Sequence, residues 1–244
     1  MYKRLDFTQY FIDTSADYNK TGKARFEIHY EFKPFLYKKK ICFSNWEVHY
    51  EEDRDVIQIH FEKTDGMRDW FVNFMFVEKY YSKFKYKNKT IQLKVHNGWG
   101  KMYKNIKNEI REEVSNLLKA HPNAEIEVIG WSLGSGQAML CVQDLYYNFG
   151  IQSHLFTYGS VNPFKTNIFN RKKIRNYLRG CCKEVYNFSD LSDIVTYLPF
   201  RFWGFIKIKR INLGWFNIFG LFNPWKYHTH YDKEKLYKKI NIKE

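Results

Sequence analysis

The stretch Ile126 to Tyr147 constrains this chain more than any other. An apolar run, β-branched at Ile126, Val128 and Ile129, stops at Gly130-Trp131-Ser132-Leu133-Gly134, and a helix-like segment from Gln137 to Tyr147 follows at once. Strand, sharp turn and helix in this order place a serine in a strained conformation between the two elements. Gly130 and Gly134 stand where a side chain would strike the neighbouring strand or helix. The reading predicts that the Ser132 hydroxyl is exposed at the top of a sheet. It also predicts that the first free N–H of the helix, on Leu133, faces any oxyanion formed beside that hydroxyl.

The flanking segments extend the pattern. Residues 3 to 18 carry Leu5, Tyr10, Phe11 and Tyr18 at roughly helical spacing, and period-two alternation from Arg25 to Tyr37 and from Ile41 to Tyr50 predicts antiparallel strands. Val56 to Phe61 reads as a strand, followed by turn residues through Gly66. There Thr64, a small hydroxyl residue just past a strand end, is placed to supply a second oxyanion donor. Ile91 to Val95 is another strand, and a helix is predicted from about Lys101 to Lys119 by Met102, Ile106, Ile110, Val114 and Leu117, closed by His121-Pro122-Asn123. After the serine-bearing turn and its helix, Ser153 to Tyr158 and Glu184 to Phe188 read as further strands, and Arg201 to Arg210 alternates like one. Strand, helix, strand, helix, strand is a parallel crossover pattern, so ligands belong beyond the strand C-termini. That is where Thr64, Ser132 and Gly159 should gather.

Two acids and two histidines compete to complete a catalytic set. Asp190 and Asp193 both lie just past the Glu184 to Phe188 strand, where a carboxylate that orients a histidine belongs. His228 and His230 follow the aromatic segment near the C-terminus, and spacing alone does not choose between them. A metal reading of that histidine pair lacks accompanying acids or cysteines. His60, alone on its strand, reads as a packed side chain.

Bulk composition bounds the rest. The 244 residues suffice for one domain with a sizeable core, and 44% apolar with 27% charged residues describe a soluble globular chain. Cys42, Cys141, Cys181 and Cys182 have no zinc or disulfide spacing, and neither a cleavable leader nor an 18-residue apolar run is visible. A cytoplasmic, reducing location is therefore expected. The net charge of +14 favours anionic partners, yet the lysines are scattered without a nucleic-acid module, so no nucleic acid is expected. With 20% aromatic residues, and Phe202, Phe205, Trp215, Phe219 and Trp225 crowded into one segment, contact with an anionic membrane surface is the alternative to aromatic core.

Several strings resemble the class 3 lipase family. Ile129 to Ala138 is similar to its Gly-His-Ser-Leu-Gly-Gly turn, and Phe61-Glu62-Lys63-Thr64, Asp69-Trp70 and Asn73-Phe74 to its oxyanion stretch. Val95-His96-Asn97-Gly98-Trp99, Thr157-Tyr158-Gly159-Ser160 and Asn187 to Pro199 match three more of its strings in order, so the resemblance covers about residues 56 to 232. Departures fall at Trp131, Ser135 and Glu62-Lys63, where the family carries histidine, glycine and Arg-Gly. The resemblance implies an α/β-hydrolase fold over residues 1–244, a mostly parallel central sheet flanked by helices. It implies a serine esterase of acylglycerols or phospholipids with Ser132, Asp193 and His228 as triad, Thr64 and Leu133 as oxyanion donors, and no cofactor. A thioesterase or acyltransferase of the same fold, or an inactive basic lipid- or polyanion-binding relative, shares the same strings.

Overall fold

The computed structural model describes residues 22–32, 36–61, 78–86, 89–206, 208–213 and 224–229. The helix expected over residues 3 to 18, Thr64, His230 and most of the aromatic segment from Trp215 lie outside them. Strands β1 (Gly22–Phe32) and β2 (Leu36–Glu51) form an antiparallel pair with Phe32 opposite Leu36. β2 already begins at Leu36, so the strand expected from Arg25 to Tyr37 is divided between β1 and β2. β2 then pairs antiparallel with β3 (Val56–Phe61), and from there the sheet is parallel: β3 to β6 (Glu125–Trp131), β6 to β7 (Ser153–Tyr158), β7 to β9 (Cys182–Ser189), β9 to β10 (Ile211–Asn212). Four parallel pairings against two make the central sheet mostly parallel, as the sequence leads one to expect.

The crossover into β6 corrects one expectation. The strand preceding the long helix, β5 (Lys89–His96), does not join the main sheet. It pairs antiparallel with β4 (Glu78–Tyr86) and with the short β8 (Phe164–Lys165) in a second, three-stranded sheet. Only residues 87 and 88 separate β4 from β5, a connection long enough for an antiparallel neighbour and far too short for a parallel one. The strand that precedes β6 in the parallel sheet, and pairs with it opposite β7, is therefore β3. Arg201 to Arg210 is corrected too. Residues 201–203 form a 3-10 turn ended by Gly204 at φ 94°, and regular pairing resumes only at β10.

Helix α1 (Asn97–Ala120) begins four residues earlier than the apolar spacing indicates, since His96 caps it by accepting the Gly98 N–H at Nδ1, 3.2 Å away. Met102, Ile106, Ile110 and Val114 lie one turn apart on its buried face, and burial of each contributes on the order of 2 kcal/mol. Helix α2 (Leu133–Phe149) is buried on every side through Leu145 and packs on β6. Helix α3 (Arg171–Gly180) buries only Ile174 and Leu178, four residues apart on one face. A short α4 (Pro224–Thr229) starts on proline, whose fixed φ suits the first helical position.

Two neutral histidines tie the fold to pH. Burial lowers both His60 and His96 to about 3, with the positive charges of Arg54 and Lys165 adding to the effect. His96 must keep Nδ1 unprotonated to cap α1, and His60 Nε2 lies 2.8 Å from Gln58 Oε1, in a chain that runs on to the Arg54–Glu127 pair. Unfolded histidine binds a proton near pH 6.5, the folded rings only near 3. Stability is thus fully present above 6.5 and falls as pH drops toward 3. Each ring should cost about 2 kcal/mol between pH 6.5 and 5, measurable as a shift of the urea midpoint, with His60→Gln reducing the slope.

Candidate active site

β6 delivers Ser132 and α2 begins on the next residue. The serine backbone sits at φ 53°, ψ −114°, a strained conformation that the surrounding contacts enforce. A Cβ on Gly130 would stand 2.5 Å from the Gly134 carbonyl oxygen, so strand and helix approach this closely only over glycine. Ser132 N–H donates to the Tyr158 carbonyl at 2.9 Å, anchoring the turn to the end of β7. Trp99 Nε1 donates to the Leu133 carbonyl, and the Ser135 hydroxyl donates to the Ser132 carbonyl while accepting the Val161 N–H. Ser135, a departure from the family string, thus fastens the turn to the loop after β7.

Ser132 is not the exposed residue that the turn suggests. It is 1% exposed, because the His228 ring lies directly on its hydroxyl. Ser132 Oγ donates to His228 Nε2 at 2.7 Å, and His228 Nδ1 donates to Asp193 Oδ2, also at 2.7 Å. All three side chains are buried, so these bonds act in a medium less polarizable than water. Asp193 follows β9 and caps the 3-10 turn Ile194–Tyr197: its Oδ1 accepts from Val195 N at 3.0 Å, its carbonyl from the Thr196 hydroxyl. The carboxylate is therefore fixed on one oxygen and directed at the imidazole with the other. Asp190, the competing acid, instead accepts the Ser192 N–H. His228 comes from α4, which packs against the Asp193 turn.

The structure thus brings Ser132, Asp193 and His228 together and puts the N–H of Leu133, first residue of α2, beside Ser132. Thr64 and the competing His230 belong to the segments outside the described residues. Cys141, Cys181 and Cys182 are buried free thiols, and burial pushes Cys181 up to about 12, leaving no thiolate nucleophile among them. Among the described residues no group of three or more His, Cys, Asp or Glu side chains could hold a metal ion.

Two residues that the sequence did not single out hold the acid loop. Asn162 N–H donates to the Leu198 carbonyl and its amide to the Pro199 carbonyl. Arg210 donates to the Ser160 and Thr196 carbonyls and to Asn162 Oδ1, joining the loop after β7 to the loop after β9. No local pattern marks either one, since their partners lie up to 50 residues away. Gly159, expected to gather with Ser132 beyond the strand C-termini, lies directly after β7. At φ 55° it faces the site, and a Cβ there would stand 3.0 Å from His228 Cε1 and 3.2 Å from Trp131 Nε1. Gly159→Ala is expected to displace the imidazole and to lower kcat by at least about 100-fold, the order found when a catalytic group is misplaced by 1 Å. Steady-state kinetics on a soluble ester, with a thermal melt as fold control, tests this.

A family model for class 3 lipases matches residues 58–203. The lipase of Rhizomucor miehei is 28% identical over 157 residues, 64% of this chain and 40% of that protein. A solved triacylglycerol lipase, described as having a serine protease triad as its catalytic centre, superposes with a TM-score of 0.58 at 25% identity, over 70% of this chain and 62% of that one. Lipase II from Rhizopus niveus has the same fold, with a TM-score of 0.57 at 23% identity over 69% and 61% of the two chains. The chain therefore spans about two-fifths of its curated relative and about three-fifths of these solved lipases. Its architecture is that of the α/β-hydrolases. With the family model aligned to more than half of its length, around the very turn that carries Ser132, the chain belongs to the class 3 lipase family.

Proposed function

We propose that this chain hydrolyses carboxylic esters of lipids through an acyl-enzyme on Ser132. The observation that carries the reading is the buried hydrogen-bonded series from Ser132 Oγ through His228 to Asp193, 2.7 Å at each step. Ser132 Oγ attacks the ester carbonyl as His228 Nε2 takes its proton; His228 then gives that proton to the departing alcohol. Water, activated by the same nitrogen, attacks the acyl-enzyme, and the acid leaves as Ser132 recovers its proton. Asp193 holds Nδ1–H, so that Nε2 is free to accept, and stabilises the imidazolium. The oxyanion is met by the Leu133 N–H and, on the sequence match, by Thr64, each donor lowering the barrier by about 3 kcal/mol. Every step uses groups of the chain, substrate and water.

The net charge of +14 supports an ester at an anionic lipid surface, a phospholipid or an acylglycerol dispersed in one, as the substrate class. Hydrolysis of p-nitrophenyl esters, triacylglycerol and phosphatidylglycerol by wild type and Ser132→Ala tests both parts. Turnover that depends on Ser132 and rises with anionic lipid is the expected result. Cleavage of acyl thioesters alone would overturn the ester assignment, and preference for triacylglycerol free of anionic lipid would overturn the substrate class.

A further inference from the structure

We infer that α3 and the two 3-10 turns beside it form the docking surface for an anionic bilayer. The first turn, Ile168–Asn170, leaves Ile168 68% and Phe169 91% exposed; the second, Arg201–Trp203, leaves Phe202 74% exposed with its ring stacked 5.2 Å from Phe200. The chain runs antiparallel through these two segments. Thr166 N–H donates to the Gly204 carbonyl, Ile206 N–H to the Phe164 carbonyl, and Arg171 to the Arg201 carbonyl. The exposed apolar side chains therefore stand side by side on one rim. Isolated surface apolar residues need no explanation, but a cluster of this kind marks an interaction surface.

Charge identifies the partner. α3 begins directly after the first turn and carries Arg171, Lys172, Lys173, Arg175 and Arg179, with no acid in its ten residues. Arg201 adds a further cation on the second turn. Three of these cations stand in the first turn of α3, where the helix dipole disfavours them. Rings and an aliphatic side chain flanked by cations match acyl chains beneath anionic headgroups. Ile168 adds hydrocarbon contact that a stack of bases does not use. The patch also borders the site: one turn follows β7 past Gly159, the other follows the Asp193 loop, and Asn162 ties the two loops together. A bilayer held there lies at the end of the sheet where Ser132 sits. The inference rests on the lipid-ester reading for its purpose, and its test does not depend on turnover.

Cosedimentation with phosphatidylcholine vesicles, with and without phosphatidylserine, would be measured on the full chain carrying Ser132→Ala, so that no lipid is consumed. Phe169→Asp with Phe202→Asp is expected to lower vesicle partition by at least about 10-fold. Lys172→Glu with Arg179→Glu should do the same for phosphatidylserine vesicles and leave binding to phosphatidylcholine unchanged. With Ser132 restored, both double variants should hydrolyse a short soluble ester within about twofold of wild type, which also reports that they fold. Vesicle binding unaltered by both variants would overturn the inference. So would a lipid-free dimer lost on Phe169→Asp, which assigns the patch to a second copy, or oligonucleotide binding tighter than vesicle binding. A wild type inert on every ester but still vesicle-bound through these residues would sink the hydrolase reading and leave the docking surface standing.

Discussion

Ser132→Ala is expected to lower kcat on a soluble ester by roughly 10⁴-fold or more while KM and the melting temperature change little. The substitution removes the only atom that becomes covalently bonded to the acyl group. What remains is binding and the oxyanion donor at Leu133, which together still exceed the uncatalysed rate. The backbone has little reason to respond. Position 132 already holds a side chain at φ 53°, and an alanine methyl takes up the same Cβ. Loss of the hydroxyl donor at His228 Nε2 costs about 1 kcal/mol. Activity near that of the wild type would remove Ser132 from the chemistry.

Asp193→Asn should be nearly as severe, about 10⁴-fold in kcat, and Asp190→Asn within about twofold of wild type. The contrast follows from what each carboxylate holds. Asparagine at 193 can keep the acceptor for the Val195 N–H with its Oδ1. Its amide nitrogen then faces His228 Nδ1 and donates, which moves the ring proton to Nε2, the nitrogen that must accept from Ser132. At 190 the Ser192 N–H finds an equally good acceptor in asparagine, and no catalytic atom is touched. Kinetics of both variants, with the histidine tautomer read by nitrogen NMR, checks the cause as well as the effect. A sensitive Asp190 with a tolerant Asp193 would contradict the hydrogen bonding around His228.

The parts of this molecule legible in its sequence are those set by local periodicity and by short-range sterics. β3 and β7 run over the very residues whose β-branched and aromatic content predicts them, and the turn at Ser132 follows from two glycines flanking a serine. The start of α1 is not legible because nothing local shows that the His96 ring supplies the cap. The second sheet was not legible because pairing partners are non-local: Val95 meets Lys79 on one side and Phe164 on the other. α3 offers only one apolar repeat, Ile174 to Leu178, too short a run to establish a helical period in the sequence. At the site, two histidines two residues apart look alike in sequence; the six-residue α4 and its packing on the Asp193 turn are what direct His228 at the serine. The burial of Ser132 is likewise a tertiary fact, produced by a ring from 96 residues downstream.

The central claim is that Ser132 is a nucleophile activated by His228, and active-site phosphonylation addresses it most directly. A small fluorophosphonate would be added to wild type, His228→Ala and Ser132→Ala, with and without anionic lipid micelles, followed by intact mass and peptide mapping. One adduct per chain on the peptide containing Ser132 in the wild type is predicted, slowed by at least about 1000-fold in His228→Ala and absent in Ser132→Ala. Folded wild type that stays unlabelled under both conditions, or labelling at Ser132 that proceeds equally fast without His228, would contradict it.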